Sequence, residues 1–430
     1  MFPHLIAASE MRSPHPLLIM PFGFLLISIA FGPILVRHHW ERHYHKVCIL
    51  FAALICGYYV FIFNAGRRVL ETGFEYFSFM VIVGAFFVVS GGIHLRIKGG
   101  GLPASNTLFL VGGALLANLI STTGASMVLI RPWINMNRYR FSGWHVAFFI
   151  FVVSNIGGAL LPAGPPLLLG FLKGVPFWWT LRRCWSHWAA TLALVLVVFY
   201  VVDLINYRKA IRSRQEINAS ITRSGGSFNF LFLLGILIAL IVIPRGFREG
   251  VVILLAIASY LATPARIRLV NEFSFLPIKE VAWLFLGIFG TMIPVLDYME
   301  LHAGSLGLHS DLQFYWATGV LSALLDNAPT YLTFLAGAFG LHGLDMNNFQ
   351  DMTVFIGSHD HSLIAISMGA TCFGALTYIG NGPNLLVKAI SEHAKVPTPG
   401  FFGYAFRFAI PVLLPIFVLI SFLFFLRDNT

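Results

Sequence analysis

Asp326 is a carboxylate set inside a long apolar stretch, in the string Asp326-Asn327-Ala328-Pro329-Thr330. An ionisable group is costly to bury among apolar residues, and one kept there can hold Na+ or a proton and couple the two by competition. A purely structural role competes with this reading, because Asp and Asn also cap the first N–H groups of a helix. A second polar island, Ser121-Thr122-Thr123-Gly124-Ala125-Ser126, places hydroxyl oxygens in an equally apolar run. Downstream of each island lies a Gly/Pro-rich interruption. The first is Ser154-Asn155-Ile156-Gly157-Gly158 running to Pro162-Ala163-Gly164-Pro165-Pro166, and the second is Gly374 through Asn384. Pro breaks a helical hydrogen-bond ladder and Gly lets backbones approach, so each interruption frees carbonyls at one half-helix end and N–H groups at the other. Carbonyls suit a hard cation and N–H groups suit an anion. Thr122, Thr123, Ser126, Asn155, Thr330, Asn381 and Asn384 add side-chain oxygens beside these breaks, and with Asp326 they form the expected ion- and substrate-binding set, Asp326 being the proton-coupling group. Helix–helix packing is the competing role for each hydroxyl taken singly, but not for their paired placement in both halves.

Such chemistry requires elements that hold broken helices inside a membrane. The 430 residues are 57% hydrophobic and 11% charged, where soluble domains are about a quarter charged, so the excess apolar surface must face lipid. The net charge of +10 sits in short loops between apolar runs, a pattern of membrane orientation and not of nucleic-acid binding. Apolar segments near 17–36, 47–63, 77–95, 145–172, 187–206, 229–244, 250–264, 280–297, 353–378 and 402–426 read as spanning helices. Two others, near 105–133 and 312–340, are about 28 residues long, too long for one crossing at about 1.5 Å per residue, and carry the polar islands at their centres. They are expected to be re-entrant hairpins, since irregular backbone at membrane depth survives only against a protein or water cavity.

With the N-terminus outside and both hairpins re-entrant, most of the 28 Lys+Arg fall on the inside. An odd number of spans then separates the hairpins, so they enter from opposite faces. The expected fold class is therefore an all-α polytopic membrane protein with about 10–11 transmembrane segments and two inverted repeats, each holding a re-entrant hairpin and a broken helix. The first half covers 1–206 with its broken helix near 145–172, a basic cytoplasmic linker covers 207–227, and the second half covers 228–430 with its broken helix near 353–392. The first apolar run lacks a small-residue cleavage site and is expected to span, and the N- and C-termini are expected outside, in a bacterial inner (plasma) membrane.

Other polar residues carry weaker signals. Glu280, Asp297 and Asp203 read as span-boundary residues, and Arg131 as a side chain snorkelling to the interface. His359-Asp360-His361 has no third ligand in view, and the His-rich stretch Arg37–Lys46 reads as a solvated cytoplasmic loop. Cys48, Cys56, Cys184 and Cys372 show neither metal spacing nor a disulfide framework. No nucleophile–base pair or metal cluster suggests an enzyme, and no resident cofactor is expected.

The strings Glu75-Tyr76-Phe77-Ser78-Phe79, Ser90-Gly91-Gly92-Ile93, Thr122 to Met127 running into Leu129-Ile130-Arg131-Pro132, Phe151 to Gly158, Gly170 to Phe177, Leu325 to Tyr331 and Tyr378 to Asn384 bring a family into view. From about residue 70 to its end the chain resembles the sodium/proton antiporters of the D type and their relatives in the ion-transporter superfamily, which includes arsenite, citrate and dicarboxylate permeases. The resemblance implies a substrate site between two hairpin-plus-broken-helix units, elevator-like motion and a homodimer. It carries Na+ ligation onto Thr122, Thr123, Ser126, Asn155, Asp326, Asn327, Thr330, Asn381 and Asn384. One departure stands out: relatives place an Asp between the Gly and the Pro pair of the first break, where this chain runs Gly164-Pro165-Pro166. The expected function is secondary active transport by alternating access, a sodium(cation)/proton antiporter moving Na+ and H+. The alternative is a sodium- or proton-coupled anion permease for citrate, a dicarboxylate or an arsenite-like substrate. The expected partners are the lipid bilayer and the transported monovalent cation or small anion.

Overall fold

The computed structural model describes residues 14–98, 101–210 and 220–426. The chain opens with α1 (Met20–Leu35), α2 (Arg37–Phe61) and α3 (Gly66–Gly91), then strand β1 (His94–Lys98), α4 (Pro103–Asn137), α5 (Gly143–Val152), α6 (Pro165–Lys173) and α7 (Trp179–Ala210). Strand β2 (Ser220–Gly225) follows, then α8 (Asn229–Val242), α9 (Phe247–Ala262), α10 (Ala265–Val270), α11 (Leu276–Leu301), α12 (Asp311–Leu324), α13 (Asn327–Leu341), α14 (Phe349–Ser358), α15 (Asp360–Phe373), α16 (Gly382–His393) and α17 (Phe401–Phe424). Among the described residues six helices, in α2, α3, α4, α7, α11 and α17, are long and apolar enough to cross a bilayer. The protein is an all-α polytopic integral membrane protein. A short antiparallel ribbon, β1 with β2, is the one sheet among the described residues and ties the approach to α4 to the segment after α7.

α4 is continuous only in name. Ile120 (φ −120°, ψ 17°) and Ser121 (φ 71°, ψ 154°) leave helical geometry, and the chain turns back on itself there. Asn106 donates to Asn137 Oδ1 at 2.8 Å, although a straight helix would hold these residues about 46 Å apart. Ser121 takes a backbone region that only Gly visits freely, at a cost of order 1–3 kcal/mol, so its surroundings must enforce the turn. Part of that enforcement lies at the hairpin's base. Asp203 on α7, expected as a boundary residue, is instead fully buried, where it accepts from Arg140 and, at 2.8 Å, from Asn106. His145 on α5 lies 3.2 Å from the same carboxylate. A buried charge survives only when paired, and this hub joins both arms of α4 to α5 and α7.

The second hairpin is α12 and α13, joined by extended Leu325 and Asp326. The two helices pack on each other, and Asp311 at the start of α12 lies within electrostatic reach of His342 after α13. α11 packs against both α13 and α2, and α3 bridges α4, α9 and α11. Gly340 permits the α11–α13 approach, because a Cβ there would collide with the Glu300 carbonyl. Phe79 of α3 stacks on Phe285 of α11 at 4.6 Å, worth about 0.5–1.5 kcal/mol beyond area burial.

Several expectations change. The stretch 353–378 is not one span but α14 and α15, parted at His359 (φ −132°, ψ 34°). His359 stacks on His342 at 3.4 Å, and Asp360 pairs with Arg183. The His-rich stretch is the start of α2 and not a loop, in keeping with the absence of Gly and Pro from Arg37 to Lys46. Of the expected linker 207–227, the start continues α7 and the end is β2, while 211–219 lie outside the described residues. Asp297 is no simple boundary residue, since it accepts from Arg68 and Tyr59, each at 2.9 Å. Arg131 reaches the loop before α11, bonding Glu272 at 2.6 Å and the Asn271 carbonyl at 2.9 Å.

Candidate functional site

The two breaks meet face to face. α5 ends at Val152 and α6 begins at Pro165, with a short 3-10 turn, Ile156–Gly158, between them. α15 ends at Phe373 and α16 begins at Gly382, across a 3-10 turn at Gly374–Leu376. Asn155 donates to Asn384 Oδ1 at 2.8 Å and to the Ile150 carbonyl at 2.9 Å. Asn381 returns the contact, donating to Asn155 Oδ1 at 3.1 Å and to the Ser154 carbonyl at 2.8 Å. Asn384 then donates to the Gly374 carbonyl at 2.8 Å and the Thr377 carbonyl at 2.9 Å. Gly374 is required here, since a Cβ on it would sit 2.8 Å from the Gly380 carbonyl and 3.0 Å from Asn155 Oδ1. Carbonyls freed by the breaks are thus satisfied by amides, as buried polar groups must be.

Each hairpin grips its own break. Asn118, on the first arm of α4, donates to the Gly157 carbonyl at 2.6 Å and accepts from Leu160 N–H at 2.8 Å and Leu161 N–H at 3.3 Å. Ser126 and Ser154 share a 2.8 Å hydrogen bond between hydroxyls. In the second unit Ser322 donates to the Ala370 carbonyl at 2.7 Å, and Thr377 donates to the Ala323 carbonyl at 2.6 Å.

The tips of both hairpins and the starts of α6 and α16 converge on one cavity of about 60 Å³, enough for about four waters. One side consists of Ser121, Thr123, Gly124, Pro165, Asp326, Asn381, Gly382 and Pro383, and the other of Phe79, Val83, Phe86, Phe87, Pro277, Ile278, Val281 and Phe285. Four helical segments begin at the polar side: the second arm of α4, α6, α13 and α16. Helix N-termini carry partial positive charge and orphan N–H groups, which favours an anion. Asp326 is the one Asp, Glu, Lys, Arg or His along the cavity wall. It also caps α13, accepting from Ala328 N–H at 3.0 Å, so the structural and chemical readings of this residue coexist in one geometry.

The nine expected site residues divide three ways. Thr123, Asp326 and Asn381 line the cavity. Thr122 and Asn327 are one position along from the tips, 4% and 2% exposed, and Thr122 Oγ1 and Asn327 Oδ1 find no hydrogen-bond partner among the described residues. Ser126, Asn155 and Asn384 are committed to the braces, and Thr330 donates to the Asp326 carbonyl at 2.9 Å within its own helix. Residue typing missed Asn118, whose signal was a lone amide one helical turn before Thr122 in an apolar run. It also missed the aromatic side of the cavity, because Phe in a spanning helix carries no distinguishing pattern. Glu75 stood in a string that carried resemblance but no role; in the structure it pairs with Lys173 at 2.7 Å, joining α3 to α6.

Residues 12–425 match the profile of a family described as "Putative citrate transport". The chain belongs to this family. No curated protein matches it. Membership of a transporter family across nearly the whole chain agrees with the superfamily the sequence resembles, and it places the protein among secondary transporters. The family description names citrate transport, which fits an anion permease better than a sodium/proton antiporter.

Proposed function

We propose that this protein is a cation-coupled permease for a small organic anion, working by alternating access. The observation that carries the reading is the gathering of four helix N-termini around one cavity in a chain of a citrate-transport family. Anion recognition falls to those N-termini together with the hydroxyls of Ser121 and Thr123. The transported cation, Na+ or H+, is assigned to Asp326 and to the unpartnered oxygens of Thr122 and Asn327. The order of elements supports two inverted halves: α3, a hairpin, a broken helix and α7 in one, and α11, a hairpin, a broken helix and α17 in the other. In this reading the hairpins and broken helices move against α3 and α11, the hairpins are re-entrant, and the protein sits as a homodimer in a plasma membrane with both termini outside.

Proteoliposomes supplied with labelled organic acids under imposed Na+ and H+ gradients test the proposal. Gradient-driven uptake of at least one acid is expected. A second reading, cation/proton antiport, draws on Asp326 as the cavity's one ionisable side chain. Proton movement driven by Na+ or Li+ with no acid present would favour it over the permease.

A further inference from the structure

The cavity has two unlike sides. Everything that can donate or accept through a side chain, Ser121, Thr123, Asp326 and Asn381, belongs to the hairpin tips and breaks. The opposite side, built by α3 and α11, is Phe79, Val83, Phe86, Phe87, Pro277, Ile278, Val281 and Phe285, with no side-chain hydrogen-bonding group at all. The Phe79–Phe285 stack and its neighbour Phe289, 5.7 Å from Phe79, hold this side in place. A ligand filling the space must be two-faced as well, because a carboxylate pressed against the aromatic side would lose its water and gain no partner.

The polar side is also limited in the negative charge it can accept. No Lys, Arg or His lines it, and Asp326 opposes anions unless a cation or proton covers it. The four helix N-termini at this side contribute roughly +0.5 each, about two positive charges together, and an ionised Asp326 offsets one of them. Three of the N–H donors these ends would present are missing, because Pro165, Pro166 and Pro383 have none.

We infer that the transported anion is a small monocarboxylate with an apolar tail, its carboxylate on the hairpin-tip side and its tail against Phe79, Phe86, Ile278 and Phe285. The inference rests on the organic-anion reading and narrows it away from the tricarboxylate named in the family description. A tricarboxylate, polar on every side, would leave at least one charged group facing the aromatic side.

The test is a thermal-shift titration of the purified full chain at constant sodium concentration and pH, with butyrate, acetate and citrate. Butyrate is expected to stabilise the protein, acetate to need about tenfold more ligand for lack of two methylenes, and citrate to give no saturable shift. Val281→Thr adds a hydroxyl to the apolar side at nearly constant volume and should weaken butyrate about tenfold; Val83→Thr serves equally if the first variant does not purify. Citrate stabilising at lower concentration than butyrate would overturn the inference and leave the permease standing, as would equal potency of acetate and butyrate. No shift with any carboxylate, from protein that melts cooperatively, would overturn the organic-anion reading itself and the inference with it.

Discussion

The two hairpin-and-break units do the same mechanical job with different chemistry. In the first, the tip offers hydroxyls, Ser121 in a strained turn and Thr122 with no hydrogen-bond partner among the described residues, and the break is held chiefly by one amide, Asn118, which makes three hydrogen bonds to it, beside the Ser126–Ser154 hydroxyl pair. In the second, the tip offers a carboxylate and an amide, Asp326 and Asn327, and the break is held by two separate hydroxyls, Ser322 and Thr377. No acid stands at Gly164-Pro165-Pro166, and the one ionisable side chain on the cavity wall, Asp326, belongs to the second unit. The lesson is a division of labour. At the cavity the first unit is a neutral, tightly tied frame, and the second carries the group whose charge can change.

The comparison breaks first at Asp326. Asp326→Asn keeps an N-cap oxygen for Ala328 N–H but removes the charge, so cation-coupled transport should fall by more than about a hundredfold with little change in melting temperature. Thr123→Val, at the first tip, should lower transport by no more than about tenfold, the worth of one neutral hydrogen bond. Equal losses in proteoliposome assays would refute the division. Stability should show the reverse order. Asn118→Ala strands the Gly157 carbonyl and the Leu160 N–H and should cost about 2–4 kcal/mol, whereas Ser322→Ala should cost about 1 kcal/mol, read as relative melting shifts of purified protein.

Smaller effects test the connections. Asn155→Ala and Asn384→Ala each break the brace between the breaks, and the double variant should be less destabilised than the sum by about 0.5–3 kcal/mol, because both remove one shared hydrogen bond. Additive losses would mean the breaks are held independently. At the periphery, Lys173→Met alone leaves Glu75 without its buried partner and should destabilise more than the pair Lys173→Met with Glu75→Gln. Removing Glu272, whose side chain is 76% exposed opposite Arg131, should change melting too little to measure.

Much of this architecture was legible in the residues. Two overlong apolar runs with polar centres pointed to bent helices; length alone did not decide it, since α7 runs 32 residues as one helix, but polar residues and broken backbone at membrane depth need a protein or water cavity to satisfy them. The Gly/Pro interruptions after each run were visible for the same reason, and so was the cost of burying Asp326. Residue type alone determined these features, since they follow from backbone chemistry and solvation. Three-dimensional packing decided the rest. Asn155, Asn381 and Asn384 are indistinguishable from ligands in the sequence, and only the meeting of chain segments more than 220 residues apart makes them braces that bond each other and the freed carbonyls. Asp203 became the hub of a buried network because the hairpin folds Asn106 and Arg140 back to it. The apolar side of the cavity could not be read from α3 and α11 singly, because a Phe that faces lipid and a Phe that faces a substrate are the same residue until the helices are packed.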